Sequence, residues 1–125
     1  MSEQAKMVPI VRPQLGDEEV AASERVIRSG WITQGPEVLA FESELAAAVG
    51  AKHAAAVANC TVALELALRA LGIGAERGRR DEVITVSHSF IATANSVVSA
   101  GGVPVFVDVR EDDLGIDPAL IERAI

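Results

Sequence analysis

Apolar and polar positions follow a helical period in some stretches and form short continuous runs in others, and the switches mark the elements. The helical period begins near Asp17. Asp17 is a suitable N-cap, Glu18 and Glu19 favour the positive end of a helix, and Gly30 follows the last turn. Gly30-Trp-Ile-Thr-Gln-Gly35 breaks the period and reads as a loop carrying one large aromatic. Pro36 fits the first position of a second helix. Its Val38, Phe41, Leu45 and Val49 recur at intervals of three, four and four, which makes one apolar face, and Gly50 closes the helix.

From there, short apolar runs alternate with helical patterns. His53–Ala58 predicts a strand, Asn59-Cys60-Thr61 a turn, and Val62–Leu71 a helix apolar nearly all round. Glu65 and Arg69 interrupt that helix as a favourable i,i+4 pair, so it is expected to be buried on most sides. The theme repeats with Val83–Val86 as a strand, Ser87-His88-Ser89 as a turn, and Phe90–Ala100 as a helix ending at Gly101. Val103–Val107 predicts a third strand, followed by an acidic loop and a last helix capped by Asp117-Pro118. The alternation predicts an α/β fold: right-handed crossovers and a parallel sheet covered by helices on both faces. The last helix reaches Ile125 without a Gly or Pro terminator, so the pattern predicts the beginning of a larger α/β domain.

Composition narrows the class. At 125 residues and 13.1 kDa the chain is one domain or a piece of one, and 50% hydrophobic residues exclude disorder. Eleven Lys and Arg against 18 Asp and Glu leave a net charge of −7, which opposes nucleic-acid binding. A single cysteine, Cys60, excludes a disulfide framework and a cysteine-based zinc site. The opening residues are polar and punctuated by Pro9 and Pro13, unlike a secretory signal. Val83–Val107 lacks Asp, Glu, Lys and Arg, but His88, Asn95, Gly101-Gly102 and Pro104 break it into strand, helix and strand rather than a membrane span. A cytoplasmic protein is expected.

Several groups could carry chemistry. Gly72-Ile-Gly74-Ala-Glu-Arg-Gly78 has the glycines of a dinucleotide loop, yet it follows a helix and precedes a strand, the reverse of the required context. Asp108, Glu111, Asp112, Asp113 and Asp117 fail calcium-loop spacing, because Arg110 and Leu114 occupy would-be ligand positions. His53 and His88 have no carboxylate at ligand spacing, and no metal is expected. Cys60 and His88 follow strands predicted to be parallel, so their turns would share the carboxyl edge of the sheet. A Cys–His nucleophilic pair there competes with a buried, inert thiol. Asn59-Cys60-Thr61 enters a helix whose free amides and dipole, with the Thr61 hydroxyl, could cradle a phosphate; the alternative is a simple helix cap. Phe90 could stack on a planar ligand at the same edge, or pack in the core.

The chain resembles the DegT/DnrJ/EryC1/StrS sugar aminotransferases, fold type I enzymes that use pyridoxal phosphate. The resemblance runs through Arg12-Pro13, Ser29-Gly-Trp-Ile-Thr-Gln-Gly-Pro36, Phe41-Glu42, Gly50-Ala-Lys-His53 and Asn59-Cys-Thr-Val-Ala-Leu-Glu-Leu-Ala-Leu68. It continues in family order through Asp81-Glu-Val83, Ser87-His-Ser-Phe-Ile-Ala-Thr-Ala-Asn95, Pro104-Val-Phe-Val-Asp108 and Ile116-Asp-Pro118. It implies that residues 1–35 form an N-terminal segment with a substrate-side loop, and residues 36–125 the first part of the cofactor-binding large domain. Cys60 and Thr61 match the pair holding the cofactor phosphate, Phe90 the aromatic on the pyridine ring, and Trp31, Thr33 and Gln34 the substrate-side loop. The implied reaction moves an amino group, from a donor such as glutamate, to a nucleotide-linked keto sugar for cell-surface polysaccharide or secondary metabolites. The implied assembly is a homodimer, and Trp31 is expected either at a contact surface or folded onto Phe41 or Val38.

The chain also departs from the family pattern. Asn59-Cys60 stands where many members have Ser-Gly, and Val86 and His88 replace a frequent Pro and Phe. Ala75–Arg80 is longer than usual and lacks the common Gly before Asp81. The Schiff-base lysine and the Asp that pairs the pyridine nitrogen are expected beyond position 125, since neither Lys6 nor Lys52 matches. No catalytic residue is therefore assigned here, and the segment alone is expected to be inactive. Two alternatives stand beside the aminotransferase: a sugar-dehydratase variant of the family, and a non-catalytic phosphate-binding α/β module that needs three adjacent strands.

Overall fold

A computed structural model describes residue 9 and residues 11–76 and 78–125. The chain forms two compact units, the first running to Ala56 and the second from Val57 to Ile125.

The first unit holds helices α1 (Asp17–Ser29) and α2 (Pro36–Val49). The N-cap of α1 is Gly16 rather than Asp17, because the Gly16 N–H donates to the Glu19 carboxylate at 2.7 Å. Asp17 instead joins Glu18 and Glu19 as first-turn charge on the helix dipole. Gly30 and Gly50 end the two helices in left-handed conformation, at φ 76° and 68°, and Pro36 occupies the start of α2. Arg25 grips both oxygens of Glu37, at 2.9 and 3.0 Å. Ala46 is buried, but the predicted apolar face of α2 stays largely open, with Phe41 54% and Val49 66% exposed.

Among the described residues His53–Ala58 joins no strand ladder, and the boundary between the compact units falls inside it. The Ala56 N–H is satisfied instead by the Glu42 carboxylate of α2, at 2.8 Å.

The second unit contains α3 (Cys60–Ala70), β1 (Glu82–Val86), α4 (Ala92–Ala100), β2 (Val103–Val107) and α5 (Pro118–Ala124). β1 and β2 pair in parallel, from Glu82 opposite Val103 to Val86 opposite Val107. A parallel pair needs a crossover, and α4 supplies it, packing on both strands and on α3. Ser96, Val97 and Ala100 of α4 are buried there. Small residues allow the approach: a Cβ on Gly74 would sit 2.1 Å from the Ala100 carbonyl oxygen. The helix starts at Ala92 rather than Phe90, leaving Phe90 in the preceding turn. α3 is less buried than its composition predicts, with Leu64 37% and Leu66 49% exposed, because α4 covers only one side.

The connection between α3 and β1 is tied by Asp81, which is 5% exposed. Its carboxylate accepts the Gly74 N–H at 2.8 Å and pairs with Arg79 at 2.5 Å, and its carbonyl accepts the Val103 N–H at 2.8 Å. Gly74 is thus held in place, while Gly72 and Gly78 remain open. The acidic loop closes on itself through an Arg110–Asp113 ion pair, the Gly115 N–H on Asp113, and a bridge between Val109 and Ile116. Among the described residues no cluster of His, Cys, Asp and Glu could hold a metal ion, and no helix is long and apolar enough to cross a membrane.

Candidate functional site

β1 ends at Val86, and Ser87-His88-Ser89 turns the chain into Phe90 and then α4, which runs back along the sheet. α3 lies beside α4. Its C-terminal end meets that of α4, where the Arg69 guanidinium donates to the Ser99 carbonyl at 2.5 Å and Gly74 rests on Ala100. The two helices therefore run in the same direction. Their N-termini, with Asn59-Cys60-Thr61 on one and Ser89-Phe90 on the other, lie at the end where the parallel strands finish. Ligands of open α/β sheets bind at this edge.

The helix cap of α3 is separate from its free donors. Asn59 does the capping: its side chain accepts the Val62 N–H and its carbonyl the Ala63 N–H, both at 3.1 Å. Among the described residues, the Cys60 and Thr61 amides and the Thr61 hydroxyl have no hydrogen-bond partner. Three donors at the positive end of a helix form a set suited to a phosphate dianion. The Cys60 thiol is exposed, contrary to a buried, inert role, and makes no hydrogen bond with His88 among the described residues. The helix start is served by main-chain amides whatever the side chain at position 60.

Phe90 is 80% exposed, so its ring is not core. It borders a recess of about 190 Å³ with Val86, Ser87, Ser89, Thr93 and Phe106. Ligand pockets usually span about 300–1,000 Å³, so this recess is too small to be a whole ligand pocket. Ser89 and Thr93 were not distinguished by sequence, yet their hydroxyls meet at 2.7 Å across the Phe90 turn. The signal available was two hydroxyl residues four apart, flanking an aromatic at a helix start.

The loop residues Trp31, Thr33 and Gln34 belong to the first unit. Trp31 lies on the Gly35 backbone, where an added Cβ would come within 3.0 Å of the Trp31 Cβ. It remains 59% exposed and borders a recess of about 520 Å³ with Gln34, Pro36, Val38, Leu39 and Glu42. Thr33 is exposed and does not line that recess. Glu42, which also anchors Ala56, is a polar wall that the apolar pattern of α2 did not single out.

Residues 13–125 match the DegT/DnrJ/EryC1/StrS aminotransferase family. The chain is 48% identical over 118 residues to the spore coat polysaccharide biosynthesis protein SpsC of Bacillus subtilis (strain 168), covering 94% of this chain and 29% of that protein. Among solved structures, a putative sugar aminotransferase from Streptococcus pneumoniae in its PLP form superposes with a TM-score of 0.84 at 32% identity, over 94% of this chain and 29% of the other. DesV of S. venezuelae superposes at 0.78 with 45% identity, over 86% and 28% of the two chains. The chain thus spans a little under a third of the length of these relatives. With fold and sequence in agreement over nearly its whole length, the chain belongs to the DegT/DnrJ/EryC1/StrS aminotransferase family.

Proposed function

We propose that this chain supplies the phosphate and ring contacts of a sugar aminotransferase that uses pyridoxal phosphate. The observation that carries the reading is the placing of three donors at Cys60 and Thr61, unpartnered among the described residues, at the same end of the fold as the exposed Phe90 ring. The donors suit the 5′-phosphate, and a ring anchored there would have Phe90 as its aromatic neighbour. When bound, the cofactor supplies an electron sink for moving an amino group. This chain's residues hold the phosphate by the Cys60 and Thr61 amides and the Thr61 hydroxyl, and limit the ring's tilt through Phe90. Trp31, Thr33 and Gln34 contribute to the substrate side. The Schiff-base lysine comes from sequence outside these residues.

The substrate we assign is a nucleotide-linked keto sugar and the donor glutamate, in polysaccharide biosynthesis. The SpsC relative carries that process in its name. We further assign the enzyme to the cytoplasm, where activated sugars are made, and to a homodimer. The test is to incubate the full-length protein with pyridoxal phosphate, glutamate and candidate nucleotide-linked keto sugars. Sugar-dependent release of 2-oxoglutarate together with an amino sugar is expected. A deoxygenated keto sugar, with the glutamate nitrogen released as ammonia rather than retained on the sugar, would assign the dehydratase chemistry instead.

A further inference from the structure

The Phe90 ring has a placement problem. Among the described residues it is 80% exposed and little held by packing, and it precedes the first residue of α4. Ile91, at the N-cap, provides no side-chain cap. What fixes the turn is a small set of bonds around Phe90. The Ser89 N–H donates to the Ser87 carbonyl and the Thr93 N–H to the Phe90 carbonyl, both at 2.9 Å. The Ser89 and Thr93 hydroxyls close the turn at 2.7 Å. Thr93 is half-buried, and the Ser96 hydroxyl donates to its carbonyl at 2.9 Å, so the α4 end of the clasp is anchored in the packed helix.

We propose that Ser89 and Thr93 are positioning residues: their hydroxyl pair clasps the turn that carries Phe90 and sets the ring against the cofactor plane. The inference rests on the proposed cofactor role of Phe90. Without the clasp, the flanking residues gain rotamer and backbone freedom, and the exposed ring samples directions that no longer face the ligand. A strand-end turn with a rigid second layer is what a binding wall of this kind requires.

The test uses the full-length holoenzyme and reads the absorbance and circular dichroism of the bound cofactor together with its Kd. Thr93→Val keeps the shape and removes the hydroxyl; Ser89→Ala removes its partner; Thr93→Ser retains the bond. Each deletion is expected to reduce the cofactor's induced dichroism and raise its Kd about two- to tenfold, the range of one neutral hydrogen bond. The double variant should be no worse than either single one, and Thr93→Ser should restore the signal. Phe90→Ala is the reference. If it perturbs the cofactor while Thr93→Val and Ser89→Ala do not, the clasp is overturned and the stacking role survives. If Phe90→Ala is itself silent, the stacking role fails and the clasp falls with it. Far-UV dichroism checks folding, and equal effects from both single variants rule out a packing defect peculiar to the methyl group that Thr93→Val introduces.

Discussion

At the scale of single residues, the candidate site divides labour between side chains that look interchangeable in sequence. Asn59 and Thr61 are both good capping residues, yet Asn59 takes the cap and Thr61 keeps its hydroxyl free. Thr61→Ala in the full-length protein should therefore weaken pyridoxal phosphate binding by about 1.5–3 kcal/mol, the value of a charge-assisted hydrogen bond, with little change in stability. Equilibrium dialysis beside a melting curve separates the two effects; a lower Tm with unchanged affinity would return Thr61 to a capping role. Cys60→Ala should leave cofactor binding nearly unchanged, because the amide survives the substitution. Inactivation by that variant would revive the thiol as a participant.

At the scale of elements, contacts at the ends of helices decide how they are held. Gly74 pairs a left-handed backbone, φ 74°, with the Ala100 carbonyl in the space a Cβ would need. Gly72 has φ 88° but open space around it. Gly74→Ala should cost about 2–4 kcal/mol, conformational strain plus overpacking, whereas Gly72→Ala should cost about 1–2 kcal/mol from strain alone. Denaturant unfolding of the two variants measures the difference. In the first unit, Arg25 holds the Glu37 carboxyl below the ordinary carboxylate range, chiefly through their hydrogen bond and then through charge attraction. A carboxyl lowered in the folded state stabilises at pH values above its unfolded pKa, and that support is lost as pH falls through the folded value. Both groups are exposed, so the effect is small. Glu37→Gln should lower Tm slightly at neutral pH and match the wild type once the carboxyl is protonated.

At the scale of the whole molecule, apolar surface exceeds what the described residues cover. Buried hydrophobics are Ala46, Val97 and Ala100, while Leu39, Phe41, Leu66, Phe90 and Phe106 are among the exposed ones. Residues 1–125 produced alone should bind a hydrophobic dye, self-associate and unfold broadly. A cooperative, dye-free monomer would instead show that these residues fold on their own. The full-length protein should scatter light as a dimer, and an unchanged dimer in Trp31→Ala would leave Trp31 to its seat on Gly35. Local order was determined by sequence alone: the Pro36 start, the Gly30, Gly50 and Gly101 stops, the Asp117 cap and the cores of both strands act over one helical turn or one ladder step. The family blocks likewise mark Cys60, Thr61 and Phe90 as candidates. Tertiary structure decided what depends on a partner distant in sequence. Among the described residues His53–Ala58 has strand composition but pairs with no ladder, and α3 is apolar nearly all round but packs chiefly on α4. The side-by-side course of α3 and α4 brings two turns to one end, and the Ser89–Thr93 clasp depends on how the chain bends at Phe90. A residue's intrinsic preference acts locally, whereas burial and pairing are properties of whatever the fold sets opposite it.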